Sequence, residues 1–596
     1  MKKSRLTKSK PARREPARRF RAVALLLCVC TLVGAALWWR EREASAPKFY
    51  APRQRGQLTF NKDIAPIVFQ NCASCHRPGQ AAPFALLNFQ DAKKHATDIA
   101  DATGRRFMPP WLPEPGYGEF VGERRLSVEQ IGLLQQWVAE GAVEGVASDL
   151  PPAPTFSGDW QLGQPDLILT MTEPYPLAAE GRDVYRNFVI PAPLARPRYV
   201  RSVEFHPGNP KIVHHAFVKL DRTARSRRQD ADDAGPGFGG MNVVAEMPGG
   251  HFLGWQPGRL PSFLPEGLPW RIDPGNDLVL QVHMNTTGRP ELLQASVGLY
   301  FTDQPPTNTC FKVFLNSFVM DIPAGARDYV VEDSFVLPVD AQVLAVLPHA
   351  HYLAHEMRGW ATLPDGTRRE LLWIKQWDFN WQGDYRYAQP IALPAGTKLS
   401  MRFTYDNSTN NLRNLNHPPK PVAYGPQSSD EMAELWFQLL PANGKDYEQL
   451  ARAFERSMEL KFMAADEHLL RKNPRDFATH AGLALSLMGE NRLVEAEQHL
   501  RAALAVQPDY APAHYNLGLL FRRLNKTPEA RAEFETALRL DPKDFKAHSN
   551  LGFVLLLLGE PDSALLHFES ALRLNPEDEI ARDGLNQALK ALGRPK

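Results

Sequence analysis

Hydrophobic and polar positions alternate in different ways in successive parts of the chain. Apolar positions recur at helical spacing between Ser127, a suitable helix N-cap, and Gly141, which can end a helix. From about residue 160 to 441, short alternating or continuous apolar runs lie between clusters of Pro, Gly, Asn and Asp; typical runs are 278–284, 341–347, 398–405 and 434–439. This pattern is typical of strands. It predicts two antiparallel β-sandwich (jelly-roll) domains, over 160–310 and 311–441.

The C-terminal part of the chain, residues 450–596, repeats itself every 34 residues. Prolines, leucines and small residues keep this period: Pro474, Pro508, Pro542 and Pro576; Leu483, Leu517 and Leu551; Ala484, Gly518 and Gly552. Each unit has the form of a helix-turn-helix, in which small residues let paired helices close and proline ends the second helix. The repeat resembles the tetratricopeptide repeat, which implies an α-solenoid with a concave surface for a protein partner. A purely structural extension is the alternative.

The N-terminus has the polarity of an export segment. Residues 1–21 contain ten Lys or Arg against one acid, Glu15, and residues 22–39 carry no charge. Basic flanks stay in the cytoplasm, so the pattern predicts a signal anchor over 22–39. This single-pass transmembrane helix in a bacterial inner membrane would leave the bulk of the chain in the periplasm. Cleavage behind Ala44-Ser45-Ala46, which Pro47 disfavours, is the alternative and would give a secreted or periplasmic protein.

Length and charge limit the remaining classes of protein. At 596 residues the chain is long enough for three or more domains, because single cores rarely exceed about 250–300 residues. The net charge of +2 comes from the basic N-terminus and the rest is mildly acidic, so nothing indicates a nucleic-acid partner. The five cysteines form no obvious disulfide framework; they are Cys28, Cys30, Cys72, Cys75 and Cys310.

Residues 72–76 read Cys-Ala-Ser-Cys-His, the attachment pattern of c-type haem. Thiols at Cys72 and Cys75 can add to the haem vinyl groups, and His76 can then reach the iron from one face. Met108, in a loop flanked by prolines, is the predicted second iron ligand and would raise the reduction potential; His95 is the alternative. A zinc site would need two more ligands and there is no second cysteine pair, while the βαβ context of a thioredoxin-like motif is missing. Residues 56–145 resemble a small all-α cytochrome c domain.

The predicted strands carry histidines that could bind a metal. His349 and His351 are two residues apart, so on a strand both point to the same face and can chelate one ion. His214 and His215 are adjacent and need a bulge or a strand end to share an ion, while His283 lies in another apolar run. Imidazole suits copper, and thioether sulfur favours its reduced form.

Taken in order, these residues resemble the copper type II, ascorbate-dependent monooxygenases, the family of peptidylglycine α-hydroxylating and dopamine β-monooxygenases. The resemblance covers about 160–441. It implies one copper on an HH pair and the histidine of an LQVH segment: His214, His215 and His283. It implies a second copper on an H-x-H pair and the methionine of an SSDEM segment: His349, His351 and Met432.

The same resemblance implies a reaction and two sandwiches separated by a wet cleft. The catalytic set, His349, His351 and Met432, would hold the copper at which dioxygen binds and a substrate C–H bond is broken. The other copper would store and deliver the second electron. Peptide-hydroxylating members hold the substrate carboxylate with an arginine, an asparagine and a tyrosine; here these positions are Leu347, Glu434 and Trp436. A glycine-extended peptide is therefore not the expected substrate, whose identity as a small molecule or peptide stays open.

The sequence thus predicts a membrane-anchored copper monooxygenase with two copper ions, a covalently bound haem c and a protein partner for its repeats. Its co-substrate is dioxygen, and its electron donor is ascorbate-like or a redox protein. A c-type haem is a one-electron carrier, so we expect it to replace or supplement ascorbate by feeding the first copper. Two alternatives stay open: a redox-inactive scaffold that binds copper, haem and partners, and a protein that delivers copper to another enzyme.

Overall fold

The computed structural model describes residues 49–80, 82–156, 160–181, 183–240 and 244–594. The basic segment 1–21 and the predicted signal anchor 22–39 lie outside these residues. Within them, no helix combines the length and the apolar character needed to cross a membrane. The chain divides into two compact units: Met1–Trp111 with Arg124–Thr155, and Leu112–Glu123 with Phe156–Lys596.

The regular elements described in the first unit are helices. They comprise a π-helical turn Phe60–Ile64, α1 Ala65–Asn71, α2 Phe89–Lys94, α3 Ala96–Gly104, α4 Val128–Ala139 and a 3-10 turn Ala147–Asp149. Ser127 caps α4 and forms a reciprocal capping box with Gln130, so this helix begins where the sequence predicts. The ring of Phe60 lies 6.0 Å from that of Trp137. Both side chains are buried and join the first turn to α4 in one core.

The central part of the second unit is rich in β-strands, which confirms the predicted strand content of this region. The described residues of its first half form the short helix α5 Arg225–Asp232 and a 3-10 turn Pro248–Gly250. Their strands are β1 Leu167–Thr170, β2 Tyr175–Leu177, β3 Val184–Pro191, β4 Arg198–His206, β5 Val213–Asp221, β6 Phe238–Gly239, β7 Gly254–Trp255, β8 Trp270–Ile272, β9 Asp277–Met284, β10 Glu291–Leu293 and β11 Ser296–Thr302. They form sheets of order β1-β11-β4-β8, β6-β3-β9-β5-β7 and β10-β2. All eight residues of the central strand β9 are buried, which explains its nearly continuous apolar sequence.

A second set of antiparallel strands follows. Its strands are β12 Phe311–Asn316, β13 Asp321–Ile322, β14 Tyr329–Val336, β15 Ala341–His349, β16 Ala354–Thr362, β17 Arg368–Ile374, β18 Tyr385–Leu393, β19 Lys398–Tyr405, β20 Val422–Ala423 and β21 Glu434–Pro441. The two main sheets have the orders β12-β21-β15-β18 and β14-β19-β16-β17. Residues 112–123 run beside β17 and β18, where the backbone N–H of Glu114 donates to Trp373 and that of Val121 donates to Arg386.

The C-terminal part is a series of helices. They are α6 Gly444–Lys472, α7 Phe477–Gly489, α8 Leu493–Val506, α9 Ala511–Arg523, α10 Thr527–Leu540, α11 Phe545–Leu557, α12 Pro561–Leu574 and α13 Glu579–Ala591. Their buried apolar residues form one continuous core. The long helix α6 packs on the second sandwich, where Phe454 contacts the rings of Phe311, Phe314 and Phe335.

Candidate metal centres

The first group of predicted ligands comes from two paired strands of the five-stranded sheet. His215 on β5 lies opposite His283 on β9, and a register shift falls between Val213 and His215. That irregularity lets two adjacent histidines turn toward the same point. One ring nitrogen from each of His214, His215 and His283 lies within 4.8 Å of the other two. The Nδ1 atoms of His214 and His215 are 3.0 Å apart.

The three imidazoles have the chemistry of metal ligands. Burial lowers the pKa of His214 to about 3 and that of His215 well below its ordinary value, so both rings are neutral near pH 7 and keep a lone pair. The Nδ1 of His283 is buried without a hydrogen-bond partner among the described residues, a costly arrangement unless something else binds it. A metal ion between the three nitrogens would satisfy it, so these residues fit copper.

The second group lies at the end of β15. The rings of His349 and His351 have centroids 5.3 Å apart. Nδ1 of His349 lies 2.5 Å from Oε1 of Gln382, and Nδ1 of His351 lies 3.0 Å from the carbonyl oxygen of Asp430. Because both partners are acceptors, each Nδ1 carries the hydrogen and each Nε2 keeps the lone pair that a metal needs.

Glu431 joins His351 to Met432. The oxygens of its buried carboxyl group accept hydrogen bonds from the backbone N–H groups of His351, Leu353 and Met432 at 2.9, 2.6 and 3.1 Å. Burial raises the pKa of Glu431 to about 8. Met432 lines the same cavity as His349 and His351, so the structure brings all three members of this group to one space.

An aromatic ring lies between the two groups. Phe379 stacks on His214 at 4.3 Å between ring centroids, and its centroid is 5.5 Å from that of His351. The Phe379 side chain therefore lies on the direct path between His214 and His351, and the wet cleft that the family resemblance implies stays a prediction. Beside Phe379 is a cavity of about 290 Å³, lined by His215 as well as by His349, His351 and Met432.

The three positions that depart from the peptide-hydroxylating pattern line this cavity. They are Leu347, Glu434 and Trp436. The indole N–H of Trp436 donates to Glu434 at 2.9 Å. The wall near His349 is therefore apolar and acidic.

The first sandwich also contacts the loop that carries Met432. The hydroxyl of Ser428 donates to the carboxylate of Asp183, and Asp183 lies 3.3 Å from Nε2 of His283. The hydroxyl of Tyr185 donates to the carbonyl of Pro426 at 3.3 Å. These bonds link the strand and loop beside His283 to the segment 426–432, which carries Met432 of the second ligand group.

In the first unit, the structure brings together the residues of the haem motif. Cys72 follows α1, and the N–H groups of Cys75 and His76 both donate to its carbonyl. The described cysteines are free thiols, and burial raises the pKa of Cys72 to about 12. Nδ1 of His76 donates to the carbonyl of Phe84 at 3.1 Å. This fits an iron ligand, because Nε2 keeps its lone pair.

The two candidates for the second iron ligand differ in their surroundings. His95 stacks on Phe84 at 3.8 Å, and Phe84 also contacts His76 at 4.8 Å. Met108 is half-buried in the loop after α3 and its N–H donates to Ala102. No hydrogen bond or ring contact within the described residues joins Met108 to His76, so its role as the second ligand stays a prediction.

Four residues beside the ligands were not predicted: Asp183, Phe379, Gln382 and Glu431. Glu431 had a signal, since an acid directly before a predicted ligand can hold neighbouring N–H groups. The other three come from distant segments without a motif, so only tertiary structure could show them.

Comparisons with known proteins concern the C-terminal helices. A tetratricopeptide repeat family model matches residues 481–542 and 515–579, which confirms the predicted repeats over this part of the chain. No curated protein matches the chain. Repeats of this kind indicate a protein partner.

Solved structures match about a fifth of the chain. MamA is 21% identical over 23% of this chain and 83% of its own, with a TM-score of 0.22. YrrB, a tetratricopeptide repeat protein with an unusual peptide-binding site, is 29% identical over 22% of this chain and 66% of its own, with a TM-score of 0.21. The first such domain of Spaghetti, bound to an HSP90 peptide, is 20% identical over 20% of this chain and 93% of its own, with a TM-score of 0.19.

Proposed function

We propose that this protein is a copper-dependent monooxygenase that hydroxylates a C–H bond of a small substrate. The observation that carries the proposal is the pair of ligand groups beside one cavity. One group offers three imidazoles and the other offers two imidazoles and a thioether. In the balanced reaction, one atom of dioxygen enters the C–H bond, and the other leaves as water with two protons and two electrons from a reductant such as ascorbate.

The side chains of the two groups have separable tasks in this proposal. Copper, when bound, supplies one-electron chemistry with dioxygen. The thioether of Met432 favours the reduced ion, while Gln382 and the Asp430 carbonyl keep Nε2 of His349 and His351 free to bind it. Phe379 excludes water from the space between His214 and His351. Substrate enters the adjoining cavity, where aromatic and aliphatic side chains position its C–H bond.

The proposal also assigns a covalent haem c to the first unit. Cys72 and Cys75 would hold it, and Nε2 of His76, freed by the bond from Nδ1 to Phe84, would bind its iron. A haem of this kind carries single electrons, which suits it as an electron source for the copper groups. With export of the bulk of the chain to the periplasm, this gives a membrane-anchored oxidoreductase.

The test is oxygen consumption by the purified, copper-loaded protein with ascorbate. The reaction is run under oxygen-18 with small apolar amines, alcohols and acids, followed by mass analysis. A product heavier by one labelled oxygen atom supports the proposal. A His349→Ala variant with its first copper intact provides the matched control and should give no product. A copper-delivery protein would instead release its copper readily to a chelator and consume no oxygen.

A further inference from the structure

The cavity beside the ligand groups lies between two sheets, and its walls present side chains in successive levels. On β5, the residues His215, Phe217 and Lys219 alternate with those of the other face, and all three line the cavity. The four residue steps from His215 to Lys219 span roughly 13 Å along an antiparallel strand. One wall therefore has a metal ligand at one end, an aromatic ring in the middle and an ammonium group at the other end.

The opposite wall also passes from a metal ligand to apolar side chains. On β15 and β21, His349 pairs with Glu434 and Leu347 pairs with Trp436. Beyond them, Lys312 on β12 pairs with Gln438, and its Nζ lies 5.8 Å from the centroid of the Trp436 ring. The wall on β5 thus runs from a metal ligand to Lys219, while Lys312 lies behind Trp436 of the opposite wall and close enough to Lys219 for their charges to interact.

The positive charge at the lysine end exceeds the negative charge that faces it. Burial lowers the pKa of Lys219 to about 8. Burial, followed by the charge of Lys219, lowers the pKa of Lys312 to about 8, and the attraction of Glu246 is the weaker, opposing influence. His251 also interacts with Lys312, and burial lowers the pKa of His251 to about 4, so it is neutral. Two ammonium groups that repel each other in a partly dry place favour an anion between them.

The other charged side chains of the cavity favour one orientation of a bound anion. Arg259 is already paired with Asp384 at 2.7 Å, so neither is available to a ligand as a free charge. Glu434 stands at the metal end and repels anions there. An amphiphilic anion is thus drawn to the lysine end, and its apolar part is left beside the metal ligands.

We propose that the cavity binds a small amphiphilic acid, with its anionic head at Lys219 and Lys312 and its apolar chain along Phe217, Leu347 and Trp436. This inference rests on the proposed function for the identity of the reacting end. The carbon nearest His349, His351 and Met432 is then remote from the acid group. Hydroxylation would fall on the distal half of the chain rather than next to the carboxylate.

The test compares three ligands of equal chain length, octanoate, octanol and octylamine, on the full-length protein without copper. Binding is measured by calorimetry and by the fluorescence of tryptophan. We expect octanoate to bind about tenfold more tightly than octanol, since a hydrogen bond to a charged group contributes of that order. Lys219→Met and Lys312→Met should each remove most of this advantage and leave octanol binding unchanged. Lys219→Arg, which keeps the charge, should retain it, and Lys211→Met on the exposed loop before β5 is the matched control.

Three results would overturn the inference. They are equal affinity for all three ligands, tighter binding of octylamine, and octanoate affinity that is unchanged in both lysine variants. Thermal unfolding of each variant separates lost binding from lost folding, and Lys219→Arg keeps the test decisive if a methionine variant is unstable. Lysine-dependent binding of octanoate without any labelled product in the oxygen-18 assay would contradict the proposed function, while the proposed class of ligand would stand. Labelled product from other substrates, without selective binding of octanoate, would keep the proposed function and contradict the proposed ligand class.

Discussion

At the scale of single residues, the second ligand group depends on groups that never touch a metal. Gln382 and the carbonyl of Asp430 accept the Nδ1 hydrogens of His349 and His351. They fix both the tautomer and the orientation of each ring before any ion binds. Partners of this kind typically change metal affinity by 10–100-fold, so their loss is measurable without activity.

Replacing Gln382 with leucine should weaken copper binding at His349, His351 and Met432 by about tenfold. The leucine cannot accept the Nδ1 hydrogen, so the imidazole is no longer held in the tautomer and orientation that expose Nε2. Copper titration followed by spectroscopy of the two sites is the measurement. The three-histidine site is the internal control, and equal weakening of both sites would contradict the assignment.

Met432→Ala should abolish hydroxylation while copper content falls by at most one ion per chain. Removing the thioether leaves only two imidazoles at the site, whereas His214, His215 and His283 are untouched. Metal analysis measures the copper content, and the labelled-oxygen assay measures the hydroxylation. Turnover that survives this change would remove Met432 from the site.

At the scale of elements, the repeats are held together by contacts that leave no room for a side chain. A Cβ on Gly518 of α9 would lie 2.7 Å from the ring of Phe534 on α10, and a Cβ on Gly552 of α11 would lie 2.7 Å from Phe568 on α12. The small residues that keep the period therefore serve close helix packing, as the repeat pattern predicts.

Gly518→Ala should lower the free energy of unfolding of the repeats by roughly 1–3 kcal/mol, because the added methyl group forces the buried Phe534 ring aside. Unfolding by denaturant, followed by the helical circular dichroism signal, measures it. Gly482→Ala is the matched control: it is an exposed helix position whose Cβ would come no closer than 3.8 Å to Asp466. That change should raise stability by up to about 1 kcal/mol. A similar loss in both variants would contradict the packing argument.

At the scale of the whole molecule, the repeats begin on the sandwich that carries the second ligand group. Lys461 of α6 pairs with Asp333 of β14, and Phe454 of α6 contacts Phe314 at 5.4 Å. Phe314 in turn stacks on Trp436 at 4.2 Å, a residue of the cavity wall. The helices that would bind a partner are thus connected to the cavity wall through the contacts of Phe454 with Phe314 and of Phe314 with Trp436.

The first unit has its own helical core, so loss of haem should leave copper binding intact. In a protein with Cys72→Ala and Cys75→Ala, we expect no haem stain on a denaturing gel and the same copper content as in the unaltered chain. A stain that survives the double change would contradict covalent attachment at these cysteines. Loss of copper together with haem would contradict the independence of the two cores.

The sequence by itself determined the features that depend on near neighbours. The helix start at Ser127, the strand-rich centre and the 34-residue repeat could each be predicted, because capping, alternation and helical pairing are set within one element or one repeat. The bulge beside His215 could also be inferred, since adjacent residues of a regular strand point to opposite faces.

Tertiary structure alone decided what surrounds the ligands. Gln382 is 33 residues from His349, and Ser428 is 245 residues from Asp183, so no local pattern marks either pair. Phe379 lies between His214 and His351, and Lys219 lies near Lys312, only because sheets from two parts of the chain meet there. Side chains that are far apart in sequence become neighbours through the packing of whole sheets, and that packing depends on their complete surfaces rather than on any short motif.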